Sequence, residues 1–155
     1  MESDREPDRI VVGVDGSATS KDALRWAVRQ ARLTGSVVEA VTAWDYPQFY
    51  GSMGWMPAAT DLGLEEAAGK ALGTAVEEVG AEYPDGPGVE IRASVGCGVP
   101  ATVLLEAAMG AALLVVGNRG HGGFTEALLG SVGQHCVQHA QCPVVVIREG
   151  GADSR

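Results

Sequence analysis

One glycine-rich stretch, VVGNRGHGGFTEALLGS at residues 115–131, has the residue types and spacing that point most directly to chemistry. Its glycines stand at positions 117, 120, 122, 123 and 130. Because glycine has no Cβ, such a backbone can bring its N–H groups close to an anion. Gly130 and Ser131 also open a predicted helix, where unpaired amides and the positive end of the helix dipole favour phosphate. The stretch therefore predicts a phosphate-binding loop, with a flexible turn as the alternative.

The side chains within this stretch offer binding groups and few catalytic ones. Arg119 supplies a strong positive charge, and a protonated His121 could meet phosphate, although simple exposure explains His121 equally well. Glu126 is the one carboxylate, and we expect it to face solvent. The phosphate-clamping motif GxxxxGK[ST] is absent, and the two lysines, Lys21 and Lys70, lie elsewhere. We therefore predict no catalytic residue, and at most slow hydrolysis.

A second candidate is Asp15, which closes the first predicted strand, RIVVGVD at residues 9–15. A carboxylate at that position can accept a hydrogen bond from a ribose hydroxyl. The alternative is a turn aspartate beside Gly16. The following turn, GVDGSA, lacks GxGxxG and so argues against a dinucleotide oxidoreductase.

Histidine and cysteine spacing predicts no metal site. His135 and His139 are four residues apart on a predicted helix, but two ligands do not make a site. Cys97, Cys136 and Cys142 form an odd set without CxxC spacing, so we expect reduced and mostly packed thiols.

The elements that must position these residues alternate between strand and helix. Strands are predicted at 9–15, 37–44, 88–96, 112–117 and 143–148, and helices at about 18–34, 62–83, from Pro100, and 131–140. Ser17 should cap the first helix and Gly35 should end it. Four strand-to-helix steps indicate a parallel sheet covered on both faces, a doubly wound α/β fold. Such sheets bind ligands at the carboxyl ends of their strands, where the strand order reverses.

Length and charge limit the possible classes of function. The 155 residues fit one domain at 9–148, flanked by predicted flexible tails at 1–8 and 149–155. A formal net charge of −9 disfavours nucleic acid as a partner. The apolar runs are too short to span a membrane, and the charged start leads into no secretory core, so we expect a cytoplasmic protein without membrane partners. The aromatic and methionine-containing loop at 45–60 gives no functional prediction.

The glycine spacing resembles the nucleotide signature of the universal stress protein family, in its single-domain ATP-binding branch. Two residues separate Gly117 from Gly120, and nine residues separate Gly120 from Gly130-Ser131. The resemblance extends through IVVGVDGS, GVPATVLLEAA and CPVVVIR, and so covers residues 9–148. It implies a Rossmann-like, adenine nucleotide alpha hydrolase-like fold with five parallel strands in the order 3-2-1-4-5. It also implies a stress-response role and ATP, or another adenine nucleotide, lying across strands one and four.

Site residues follow from the same resemblance. Asp15 should meet the ribose or adenine, and the main chain of Ala43 should read the adenine edge. The full set of residues implied to bind the nucleotide is Gly13, Val14, Asp15, Ala43, Gly117, Asn118, Arg119, Gly120, His121, Gly122, Gly123, Gly130, Ser131 and Val132. Magnesium could bridge the phosphates to Asp15 or Ser131.

Sequence and resemblance together predict a sensor or regulator that changes its assembly when it binds ATP. Two alternatives stay open: a cyclic AMP or AMP binding protein, and a weak ATPase or adenylyl-transferring enzyme. The apolar strand PVVVIR, 143–148, falls at the sheet edge in the implied order, and exposed edges pair with other chains. We therefore predict a homodimer formed through this strand.

Overall fold

The computed structural model describes residues 6–45, 63–118 and 130–148. Strand and helix alternate along these ranges, as the hydrophobic periodicity predicts. The elements are β1 Arg9–Gly13, α1 Ala18–Thr34, β2 Val37–Trp44, α2 Leu64–Gly80, β3 Ile91–Cys97, α3 Pro100–Ala107, β4 Leu113–Gly117, α4 Ser131–His139 and β5 Val144–Ile147.

All five strands are parallel and lie in the order β3-β2-β1-β4-β5. β1 is central, and its Val12 pairs with Ala40 of β2 on one side and with Val115 of β4 on the other. This confirms the predicted α/β class and strand order. It also confirms that β5 is an edge strand of the sheet.

Alternate residues of the buried strands supply two hydrophobic cores, one on each face of the sheet. Val12 and Val115 face α1 and α2, whose buried Leu24 and Leu72 complete the first core. The neighbouring strand residues point to the opposite face, where α3 and α4 cover them. Leu104 of α3 contributes to this second core. Because both faces are covered, the central strands are apolar throughout.

The ends of α1 match the sequence prediction. Ser17 is extended, and its side-chain oxygen accepts a hydrogen bond from the Ser20 amide at 3.2 Å. Gly35 adopts a left-handed conformation with φ +78°, and its amide donates to the Ala31 carbonyl. The first helix is thus fixed at both ends by local signals.

Several predicted boundaries differ from the structure, and three of the differences have a local cause. β1 ends at Gly13 rather than at 15, because the chain enters a turn at Asp15. α2 ends at Gly80 rather than at 83, since the amides of Glu82 and Tyr83 bond three residues back and tighten the chain before Pro84. β3 begins at Ile91 rather than at 88, because Gly88 has a φ of +79° that breaks an extended strand.

Residues 1–5 of the predicted N-terminal tail and the whole predicted C-terminal tail, 149–155, lie outside the described residues. The same holds for residues 46–60 of the predicted loop. Within the three described ranges, every helix is too short or too polar to cross a bilayer.

Candidate functional site

The strand order reverses between β1 and β4. From β1 the chain continues through α1 to β2, and from β4 it continues through α4 to β5 on the other side. α1 and α4 therefore start at the same edge of the sheet but cover opposite faces. In open α/β sheets this arrangement leaves a crevice at the carboxyl ends of the two diverging strands. We call the segments that follow these strands the β1 exit (residues 13–20) and the β4 exit (residues 117–118 and 130–133).

Local hydrogen bonds organise the β1 exit. The Val14 amide donates to the Val41 carbonyl of β2 at 2.8 Å, which carries the pairing one residue past β1. Asp15 Oδ1 accepts from the Ser17 amide at 2.9 Å, and the Asp15 amide donates to Ser20 Oγ at 3.2 Å. The hydrogen bond to Asp15 Oδ1 thus supports the interpretation of Asp15 as a turn residue. Its side chain is also exposed, so it is accessible from the crevice.

Gly13 and Ala43 lie near the ends of their strands on the face covered by α3. A Cβ on Gly13 would come within 2.8 Å of Leu104 Cδ1, so glycine allows the helix to sit close to β1. Ala43 pairs with Gly96 of β3 and packs at the border of the second core. Both residues are thus at the carboxyl edge, next to the crevice.

Gly117 at the β4 exit requires glycine for a different reason from the one predicted, while its contact with a nucleotide stays a prediction. A Cβ there would stand 2.6 Å from Thr19 Cγ2 and 3.3 Å from the Thr19 carbonyl carbon. The space beside Gly117 is therefore filled by the first turn of α1. The prediction that this glycine leaves room for an anion needs correction: close helix packing is what requires it.

Asn118 connects three elements at the β4 exit. Its amide donates to the Ile147 carbonyl of β5 at 2.8 Å, and its carbonyl accepts from the Gly130 amide at 2.6 Å. The second bond places the start of α4 directly beside the end of β4. The residue is only 7% exposed, and its side-chain Oδ1 has no hydrogen-bond partner among the described residues.

α4 presents its first turn to the same edge. Gly130 is the N-cap and makes no side-chain capping bond, while its carbonyl accepts from the Gln134 amide. The amides of Ser131 and Val132 belong to the first turn, which has no intrahelical acceptor for its N–H groups. Ser131 is exposed, so its hydroxyl is accessible as well. This confirms the predicted helix start at Gly130-Ser131.

The remaining predicted residues of the loop, Arg119, Gly120, His121, Gly122 and Gly123, lie outside the described residues, as does Glu126. Of the cations on α1, Lys21 pairs with Glu78 and Arg25 pairs with Glu82, each at 2.8 Å. The hydrogen bond that Arg25 Nε donates to the Glu82 carboxylate is the main cause that raises the pKa of Arg25. These two cations are therefore committed to α2.

The histidines and cysteines of the described residues lie on or next to three elements: His135, Cys136 and His139 are on α4, Cys142 precedes β5, and Cys97 ends β3. The His135 and His139 rings stand 4.5 Å apart on α4, and the described part of the chain contains no group of three or more His, Cys, Asp or Glu residues able to hold a metal. Cys136 is fully buried, and burial raises the pKa of its thiol to about 11. Cys142 is half-buried, whereas Cys97 is exposed, so two of the three thiols are packed as predicted.

Sequence reasoning missed two residues of α1 that shape the site. Ser20 accepts from the Asp15 amide and donates to the Ser17 carbonyl, so it fixes the β1 exit. A second serine three residues after the cap was the available signal. Thr19 fills the space beside Gly117, and no local pattern announces that contact.

A family model for the universal stress protein family matches residues 7–148. The chain belongs to this family. Universal stress protein Rv1996 of Mycobacterium tuberculosis is 38% identical over 145 residues, which cover 90% of this chain and 43% of that protein. The chain thus spans less than half the length of this relative.

Solved structures of the family share the fold. Universal stress protein UspA from Lactobacillus plantarum matches with a TM-score of 0.73 and 20% identity, covering 93% of this chain and 99% of that one. A universal stress protein crystallised in complex with cAMP matches with a TM-score of 0.61 and 25% identity, covering 93% and 98% of the two chains. The first likeness concerns the fold alone, and the second adds a family member with a bound nucleotide.

Proposed function

We propose that this chain binds an adenine nucleotide, ATP in the first place, in the crevice between the β1 and β4 exits. The observation that carries the proposal is the hydrogen bond from the Gly130 amide to the Asn118 carbonyl. This bond sets the first turn of α4 beside the strand-order reversal, so a phosphate donor set adjoins a ligand crevice. Family membership and the cAMP complex of a relative support a nucleotide over other anions.

The order β2-β1-β4 suggests how the ligand lies. Adenine would rest near Ala43 and Val14, the ribose near Asp15, and the phosphates on the amides of Ser131 and Val132, next to Gly130. Neighbouring strands are about 4.8 Å apart, so this span suits a nucleoside phosphate. We propose that residues 117–123, including Arg119 and His121, wrap the ribose and phosphates.

A magnesium ion is compatible with this donor set. The Asp15 carboxylate and the Ser131 hydroxyl are both exposed at the same edge, and both offer the oxygen ligands that magnesium prefers. Lys21 is paired with Glu78 and so is not positioned to neutralise the phosphate charge. The magnesium ion would neutralise that charge instead.

We infer a sensor or regulator rather than an efficient enzyme. The phosphate-clamping motif GxxxxGK[ST] is absent from the chain. Glu65 and Glu66 are in the first turn of α2, so they belong to neither the β1 exit nor the β4 exit. Nucleotide occupancy would be read out through assembly. Multiple-turnover ATP hydrolysis at about one per second or faster would contradict this part of the proposal and favour an ATPase.

Mass spectrometry of nucleotide released from the purified chain tests the proposal directly. We expect an adenine nucleotide in the extract, and competition titration should rank ATP, AMP and cyclic AMP. The cAMP complex of a relative makes cyclic AMP the second candidate. A preference for cyclic AMP of more than tenfold would replace ATP as the ligand, and the absence of any adenine nucleotide binding would remove the proposal.

We also propose a homodimer through β5. The carbonyls of Pro143 and Ile147 accept from β4, so the alternating backbone groups of Val144 and Val146 point to the open edge of the sheet. Val146→Pro removes one outward amide, while the matched variant Val146→Ala trims the side chain and keeps that amide. Light scattering should give a monomer for the proline variant alone. A dimer that survives Val146→Pro would rule out this edge.

A further inference from the structure

Asn118 has a buried side-chain oxygen without a hydrogen-bond partner among the described residues. Leaving such an acceptor unpaired costs free energy, and native proteins seldom do so without a reason. Both backbone groups of the residue are already used, by Ile147 and by Gly130. Asn118 Oδ1 therefore still lacks a hydrogen-bond donor among the described residues.

Asn118 directly follows β4, so its side chain lies at the carboxyl end of that strand, beside the crevice. The ladder bond from its amide to Ile147 continues the strand pairing through residue 118, so its side chain falls on the face opposite to Gly117. That face is the one covered by α3 and α4, and it includes Val116 two residues earlier. Asn118 thus lies between the end of β4 and the start of α4.

The chemistry of a nucleotide restricts what can donate here. Phosphate oxygens at neutral pH are acceptors and would repel another acceptor. The donors of an adenine nucleotide are the adenine amino group and the ribose hydroxyls. The adenine would lie near Ala43 on β2, two strands away from Asn118, whereas the ribose adjoins the phosphates at the β4 exit.

We propose that Asn118 Oδ1 accepts a hydrogen bond from a ribose hydroxyl and so makes the site selective for ribonucleotides over their deoxy counterparts. This inference rests on the proposed nucleotide binding. It gives Asn118 a ligand-reading role that the glycine spacing of the loop does not provide.

A thermodynamic cycle tests the inference. The affinities of AMP, 2′-deoxy-AMP and 3′-deoxy-AMP are measured by calorimetry for the wild type and for Asn118→Leu, which removes the acceptor but keeps the branched shape of the side chain. The wild type should bind AMP about tenfold more tightly than one of the two deoxy forms, and the variant should lose that preference. An equal preference in both proteins would overturn the inference, while a wild type that binds no adenine nucleotide would instead overturn the proposed function.

Two further measurements complete the experiment: the ligand preference of Asn118→Asp and the unfolding temperature of Asn118→Leu. The aspartate variant keeps an acceptor, so it should retain the preference for adenosine over the same deoxyadenosine, although phosphate repulsion weakens its AMP binding. Without nucleotide, Asn118→Leu should unfold at the wild-type temperature or higher, because it removes an unpaired buried oxygen. If Asn118→Leu lowers the unfolding temperature, or if Asn118→Asp loses the adenosine preference, Asn118 does not read the ribose.

Discussion

The β1 and β4 exits meet at one crevice but are built in opposite ways. At the β1 exit, Asp15, Ser17 and Ser20 bond to each other, so the turn is held by its own side chains. At the β4 exit, Asn118 and Gly130 are joined through the main chain, and a buried side-chain oxygen has no partner among the described residues. The contrast indicates that the first exit is fixed by its own side chains. The second exit keeps an acceptor that the proposed ligand would use.

The largest expected effect comes from breaking the contact that joins the two exits. Gly117→Ala would place a Cβ 2.6 Å from Thr19 Cγ2 and 3.3 Å from the Thr19 backbone. We expect the free energy of unfolding in urea to fall by about 1–3 kcal/mol, as for other overpacked cores.

Gly73→Ala on α2 is the matched control, since a Cβ there meets nothing within 4 Å. It should raise the free energy of unfolding by up to about 1 kcal/mol, because alanine favours a helix more than glycine does. Equal stability of the two variants would mean that α1 does not hold the two exits together.

A smaller effect should separate stability from binding at the β1 exit. Ser17→Ala removes the side chain that caps α1 and should lower the free energy of unfolding by about 1 kcal/mol. The capping variant Ser17→Asp should stay close to the wild type. Nucleotide affinity should change little in either, and a loss of affinity in Ser17→Asp would show that the β1 exit contributes ligand contacts through Ser17.

The sequence was sufficient where the determinants are local. α1 is capped by Ser17 at its start and by Gly35 at its end, as predicted, because capping depends on a few neighbouring residues. The strand order was implied by the family resemblance and is confirmed. The start of α4 at Gly130-Ser131 is confirmed as well.

Contacts between distant segments could not be read in the same way. The requirement for glycine at 117 depends on how α1 crosses β4, which places Thr19 against a residue far along the chain. The position of Asn118 likewise depends on its main-chain hydrogen bonds to Ile147 of β5 and to Gly130 at the start of α4. Sequence spacing predicts both residues for the site, whereas the packing of Gly117 and the burial of Asn118 follow from tertiary structure.

The smallest expected effect concerns the thiols and reports on the β4 side. Cys136 on α4 has a pKa raised to about 11 by burial, whereas Cys97 is exposed. Mass spectrometry at pH 8 should therefore show alkylation of Cys97 well before Cys136. Nucleotide should slow Cys136 further by stabilising α4 and leave Cys97 unchanged. Faster labelling of Cys136 than of Cys97 would mean that α4 is not packed as described.

The same thiol gives a pH dependence with a defined sign. The folded chain keeps the Cys136 proton above the ordinary thiol pKa of 9.0, where the unfolded chain releases it. This contribution to the free energy of unfolding is therefore complete below pH 9 and decreases as the pH rises toward 11. Cys136→Ala should flatten that part of the profile in urea titrations at several pH values.

The most direct test of the central claim is an NMR titration of the labelled chain with ATP, followed through its backbone amides. ATP should cause saturable shifts at Val14 and Asp15 of the β1 exit and at Asn118, Ser131 and Val132 of the β4 exit. Amides at the opposite edge of the sheet, such as Ala112 before β4, should stay unshifted. Shifts confined to that opposite edge, or none at millimolar ATP, would contradict a nucleotide site at the strand-order reversal.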